Sequence, residues 1–159
     1  MKYSFLYVAS IVLVNIAFTH IDPVKLPDGS LWSFGSVLVG FIFIFRDFAQ
    51  LEVGNKSIIP LMLVAAGISY IMADPVVLVA SVMSFIFSEF VDFSIFSFYK
   101  SSVAKRVLCS GIFSAPIDTF LFLYIIDEIS IYSFIAMTIS KFLALLVVFY
   151  IHKNGLRAQ

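Results

Sequence analysis

The chain has 159 residues, 62% of them hydrophobic and 17% aromatic, and only 13% are charged. Soluble chains run near about 25% charged, so a soluble globular domain is excluded. The formal net charge is zero, which gives no bulk argument for nucleic acid or for an acidic partner. A transmembrane β-barrel needs alternating segments of about ten residues, and the continuous apolar runs here exclude it. What remains is an all-α, polytopic membrane protein: a single transmembrane domain over 1–159.

Six spans are expected, at approximately 3–20, 31–49, 57–73, 76–99, 107–126 and 129–151. A helix rises about 1.5 Å per residue, so about 20 residues cross the hydrocarbon core. The first span follows Lys2 and reaches Thr19, and no small-x-small cleavage pattern follows it. It reads as a transmembrane helix, not a signal peptide. Its Asn15 offers both donor and acceptor groups, which commonly join helices in membranes. Pro23, Pro27 and Gly29 make the next segment a turn-rich loop.

The second span carries Phe41-Ile42-Phe43-Ile44-Phe45 and then Arg46-Asp47. Adjacent opposite charges at a span end are expected to snorkel to water, although an inward Asp47 would join a polar interior. Leu51 to Lys56 is a short polar turn. Pro60 reads as an ordinary early-helix proline, and Ala73-Asp74-Pro75 as a tight reversal with Pro75 in the first turn of the next helix.

The fourth span holds Ser88-Glu89-Phe90-Val91-Asp92-Phe93-Ser94-Ile95-Phe96. A charge at membrane depth costs at least about 2.5–3.5 kcal/mol, so such groups normally face a protein interior and serve a function. Glu89 and Asp92 are three apart and share one helical face, flanked by Ser88, Phe93 and Phe96. Carboxylates beside rings suit a flat, nitrogen-rich ligand, because the carboxylate accepts N–H bonds while the rings stack on its faces.

Lys100 to Arg106 is the most basic loop. Beyond it, Ser114-Ala115-Pro116-Ile117-Asp118-Thr119-Phe120-Leu121-Phe122 repeats the pattern of the fourth span: Ser-x-x-aliphatic-Asp-x-x-aliphatic-Phe. Mid-span Pro116 removes a backbone hydrogen bond and is expected to break the helix or to kink it for packing. The lone Cys109 forms no internal disulfide. The last span contains Lys141, which reads either as a ligand contact or as the counter-ion of Glu89 or Asp118. One lysine cannot neutralise three carboxylates, which leaves at least one for a ligand, a proton or a neutral state.

Placing both termini in the cytoplasm puts eight cations inside: Lys2, Arg46, Lys56, Lys100, Lys105, Arg106, Lys153 and Arg157. Only Lys25 then lies outside. The positive-inside rule therefore favours N-in, C-in, with Trp32 and Tyr132 at the outer interface and Tyr99 and Tyr150 at the inner one. Nothing in the chain has metal-ligand spacing, a phosphate-binding glycine loop or a nucleophile–base pair. An enzyme and a cofactor are not expected.

The residues resemble the queuosine precursor transporter family, also called the VUT or vitamin uptake transporter family. The resemblance runs through Val14-Asn15-Ile16-Ala17, Pro27-Asp28-Gly29, Arg46-Asp47-Phe48 and Gly54-Asn55-Lys56. Its most specific parts are Ser88 to Phe96 and Pro116 to Phe122. It implies import of a purine-like 7-deazaguanine base, preQ0 or preQ1, across a bacterial cytoplasmic (inner) membrane. On that basis Glu89, Asp92 and Asp118 are the foremost substrate-binding candidates, with Phe93, Phe96, Asp47, Asn15 and Lys141 behind them. Two other classes stay open: the substrate-binding subunit of an energy-coupling-factor importer, and a non-transport membrane protein whose charges only specify packing. The bilayer and a second copy of the chain are the partners considered.

Overall fold

The computed structural model describes residues 1–73 and 78–155. Among them are six helices: α1 (Lys2–His20), α2 (Gly35–Val53), α3 (Asn55–Met72), α4 (Leu78–Phe98), α5 (Val103–Ile125) and α6 (Ile131–Gly155). The expected reversal at Asp74-Pro75 and the tail cation Arg157 lie outside the described residues. Four of the helices, α1, α3, α4 and α5, are long and apolar enough to cross a membrane.

The second span begins later than expected. Val24–Lys25 (β1) pairs antiparallel with Leu31–Trp32 (β2), so residues 31–34 belong to a hairpin and its exit. Gly29 turns that hairpin at φ 83°, in the left-handed region that favours glycine. A second positive-φ glycine, Gly54 at 84°, ends α2 and lets α3 start on the next residue.

The hairpin loop and the α5–α6 turn share one end of the bundle. Ser133 Oγ donates to the Leu31 carbonyl at 3.0 Å, and Ser130 Oγ donates to Asp28. At the other end the start of α1 meets the end of α2, where Ser4 Oγ donates to Glu52 at 2.7 Å. We call these the hairpin end and the terminal end.

Among the described elements α2 is central: it contacts α1, α3, α4, α5 and α6. The reason lies in its sequence. Arg46, Asp47 and Gln50 make it too polar for a lipid-facing position, and all three are buried. The outward faces are apolar instead, with Leu13, Leu63, Val79, Phe87, Phe113 and Leu143 all exposed. Apolar exterior and charged interior together match a hydrocarbon surround.

Close packing holds the centre in place. A Cβ on Gly40 would lie 2.5 Å from the Lys141 carbonyl oxygen, so the α2 and α6 backbones nearly touch. α5 runs without interruption through Pro116. The proline is accommodated inside the helix; the expected break is absent.

Candidate functional site

The site grows from α2. Arg46 is wholly buried, which corrects the expectation that it snorkels to water. Its position on the central helix leaves the guanidinium no route out, and it meets three carboxylates instead. Nη1 lies 3.0 Å from Asp47, Nε lies 3.5 Å from Glu89, and Nη2 pairs closely with Asp92. Nη1 also donates to Gln50 Oε1, and Gln50 is held in turn by Ser97 at 2.8 Å and Asn55 at 3.0 Å.

Each carboxylate has a further donor. The Tyr7 hydroxyl of α1 donates to Glu89 Oε2 at 3.0 Å. Ser110 of α5 donates to Asp47 at 3.0 Å, and Ser114 donates to Asp92 at 3.3 Å. One atom stands apart. Glu89 Oε1 is buried and has no hydrogen-bond partner.

Lys141 chooses Asp118. Its Nζ lies 2.7 Å from Asp118 Oδ2 and 2.7 Å from Thr119 Oγ1, and Ser88 donates to Asp118 Oδ1 at 3.1 Å. Ser88 and Glu89 are consecutive on α4, so adjacent side chains enter different networks, one built on Lys141 and the other on Arg46.

Asp118 and Lys141 also wall a cavity of about 50 Å³ inside the bundle, lined on its hairpin side by Asn15, Ser36, Ser69, Ser81 and Ser84. Asn15 donates to the Ile11 carbonyl at 2.8 Å and reaches Ser69 Oγ at 3.5 Å. The Ser36 hydroxyl is buried without a partner. This space holds a few waters, not a bicyclic base. Toward the hairpin end lies a larger apolar recess of about 210 Å³, bounded by Pro23, Leu31 and Ile126 among others. Phe18, Phe122 and Met137 line both spaces and stand between them. The Phe18 and Phe122 rings lie 6.2 Å apart.

Of the residues expected to bind substrate, Asp118, Lys141 and Asn15 reach the cavity, while Glu89, Asp92 and Asp47 surround Arg46. Phe93 and Phe96 do not line the cavity. Phe93 packs against the apolar core, and Phe96 is buried with the Arg106 guanidinium 4.0 Å from its ring centroid. Arg106 also donates to the Phe96 carbonyl through Nε at 2.8 Å and Nη2 at 2.6 Å, which caps the end of α4. Arg46 was missing from the expected site. The signal for it was the surplus of carboxylates over mid-span lysine, which demands another buried cation.

Compared with family models, curated proteins and solved structures, the chain matches none.

Proposed function

We propose that the chain is a membrane transporter that imports a queuosine precursor, a 7-deazaguanine base such as preQ0 or preQ1, across the bacterial cytoplasmic membrane. It would do so with six spans and both termini inside. With Arg46 withdrawn into the bundle, six cations remain toward the terminal end among the described residues (Lys2, Lys56, Lys100, Lys105, Arg106 and Lys153) against Lys25 alone at the other, a count that still favours this orientation.

The observation that carries the proposal is the cavity inside the bundle, which shares Phe18, Phe122 and Met137 with an apolar recess toward the hairpin end. A buried carboxylate, a lysine, an asparagine and a partnerless serine hydroxyl converge there. A guanine-like base has an N–H edge for Asp118 and a carbonyl for Lys141 or Asn15. Phe18, Phe85 and Phe122 provide ring faces in place of the expected Phe93 and Phe96. On this reading the present arrangement is a closed state, because the cavity must enlarge to admit a bicyclic base. Such sites lie at mid-membrane in transporters that open alternately to each side.

A packing-only role is the rival, and one observation favours it: Arg46 and Lys141 already hold carboxylates. Uptake separates the two. In a host unable to make the precursor, the wild-type chain should restore queuosine in tRNA, and Glu89→Gln or Asp118→Asn should not. Rescue that survives both substitutions removes this site. No rescue by an inserted wild-type chain counts against the substrate. Rescue that needs an energy-coupling-factor module favours a binding subunit of such an importer.

A further inference from the structure

The Arg46 cluster carries one cation and three carboxylates, all buried. Fully ionised it holds an excess of two negative charges, and Lys141 is committed to Asp118. An uncompensated charge in a dry interior costs several kcal/mol, so the excess has to be relieved within the cluster.

The geometry says where. Asp92 is the carboxylate closest to Arg46, and it also accepts from Ser114; Asp47 lies at 3.0 Å and accepts from Ser110. Glu89 is the most loosely held, at 3.5 Å from Nε, and its Oε1 has no partner. The groups around it are Tyr7 from α1, Arg46 and Asp47 from α2, Asp92 from α4 and Asp118 from α5. From α3 it meets the apolar Met62 and Ala66. α6 places its lysine on Asp118. Arg46 is thus the sole cation contacting Glu89 among the described residues. The void beside Glu89, toward α3, is about 10 Å³, at the lower edge of what a single water needs. A proton fits there and a hydrated metal ion does not.

We propose that Glu89 is a proton-binding site: it carries one proton in the closed state and releases it when the cluster opens, linking one proton to each transport cycle. The proton itself rests on charge and geometry, and only the linkage rests on the transport reading above. A protonated Glu89 leaves a neutral hydroxyl unpartnered instead of a charge. It also cuts the excess to one negative charge, shared by Asp47 and Asp92.

Infrared spectroscopy of the protein in a bilayer at neutral pH tests this. With ¹³C-labelled glutamate, the wild type should show a protonated carboxyl C=O band that shifts with the label. Glu89→Gln should remove that band, and Asp92→Asn should keep it. The wild-type spectrum alone decides if a variant fails to fold. Absence of a label-sensitive band in folded wild type overturns the proposal, as does a band that survives Glu89→Gln. Loss of the band when sodium replaces potassium at fixed pH makes the ligand sodium and also overturns it. In proteoliposomes, base uptake should follow an imposed pH gradient in wild type, and Glu89→Gln should show no gradient-driven uptake. Uptake indifferent to the gradient, with the band present, overturns the linkage. The band without uptake of any base supports the proton site and counts against the transport reading alone.

Discussion

Ser114 donates to Asp92 at 3.3 Å across the seam between α4 and α5, and Ser88 returns the contact to Asp118 at 3.1 Å. Both pairs come from one repeated spacing, Ser-x-x-x-Asp, which puts serine and aspartate on one helical face. Set antiparallel, two such faces satisfy each other reciprocally. Hydrogen bonds to a charged group are worth about 1.5–3 kcal/mol. Ser88→Ala and Ser114→Ala should each destabilise the protein by about that much, read as a shift in denaturation midpoint in micelles.

The Lys141–Asp118 pair makes a different prediction. Removing one partner of a buried pair leaves an uncompensated charge and costs about 3–5 kcal/mol, whereas neutralising both costs far less. Lys141→Met should therefore be severely destabilised, and Lys141→Met with Asp118→Asn should recover much of the loss. A double-mutant cycle on thermal stability measures the coupling. Additive losses would mean that the two side chains do not depend on each other.

Arg46 should tolerate no simple replacement. Arg46→Lys keeps the charge but loses the planar fork that reaches several carboxylates at once. Arg46→Gln leaves three buried carboxylates without a cation, and its yield of folded protein should collapse. Adding Asp92→Asn and Glu89→Gln to Arg46→Gln should restore folding in part, measured by monodispersity after extraction.

Glycines sort by what surrounds them. Gly40→Ala sets a methyl 2.5 Å from the Lys141 carbonyl oxygen, which is backbone and cannot step aside. Such overpacking costs about 1–3 kcal/mol. At Gly111 the same methyl meets the ends of the Leu145 side chain, which can move, so Gly111→Ala should cost less. Gly67 has nothing within 4 Å, and Gly67→Ala should stabilise α3 by up to about 1 kcal/mol. Thermal midpoints should rise from Gly40→Ala through Gly111→Ala to Gly67→Ala.

At the hairpin end, Asp28 accepts from Ser130 and from Ser30, and these bonds hold its carboxyl below the ordinary aspartate value. A lowered folded value means that the contribution is present above the unfolded pKa and fades only as pH falls through the folded one. Amide exchange at Ser30 should therefore stay slow below the ordinary aspartate value. Asp28→Asn should flatten that pH response. The group is exposed, so the effect should stay local to the loop.

Much of this architecture is legible in the sequence. Six apolar runs announce the helices, and Glu89, Asp92, Asp118 and Lys141 announce a charged interior because lipid does not accept them. The partners are harder to read. Arg46 lies at the end of an apolar run, where local reasoning sends it to water, and only the central place of α2 turns it inward. Phe96 looks like a stacking ring from its spacing, yet Arg106, ten residues on, claims it. Pairings of this kind depend on which helix neighbours which, and hydropathy carries no such information. The hairpin at 24–32 is hard to read for a similar reason: two-residue strands are too short for any periodicity.

Ser88 and Glu89 are joined by a single peptide bond, yet they belong to opposite circuits. A helix turns as a unit, so α4 cannot rotate about its axis without disturbing both. A twist that pulls Ser88 from Asp118 also swings Glu89 against Arg46 and Tyr7. The fold thus places a camshaft where its two charged networks meet, and it needs no long-range relay to make the events on one side known to the other.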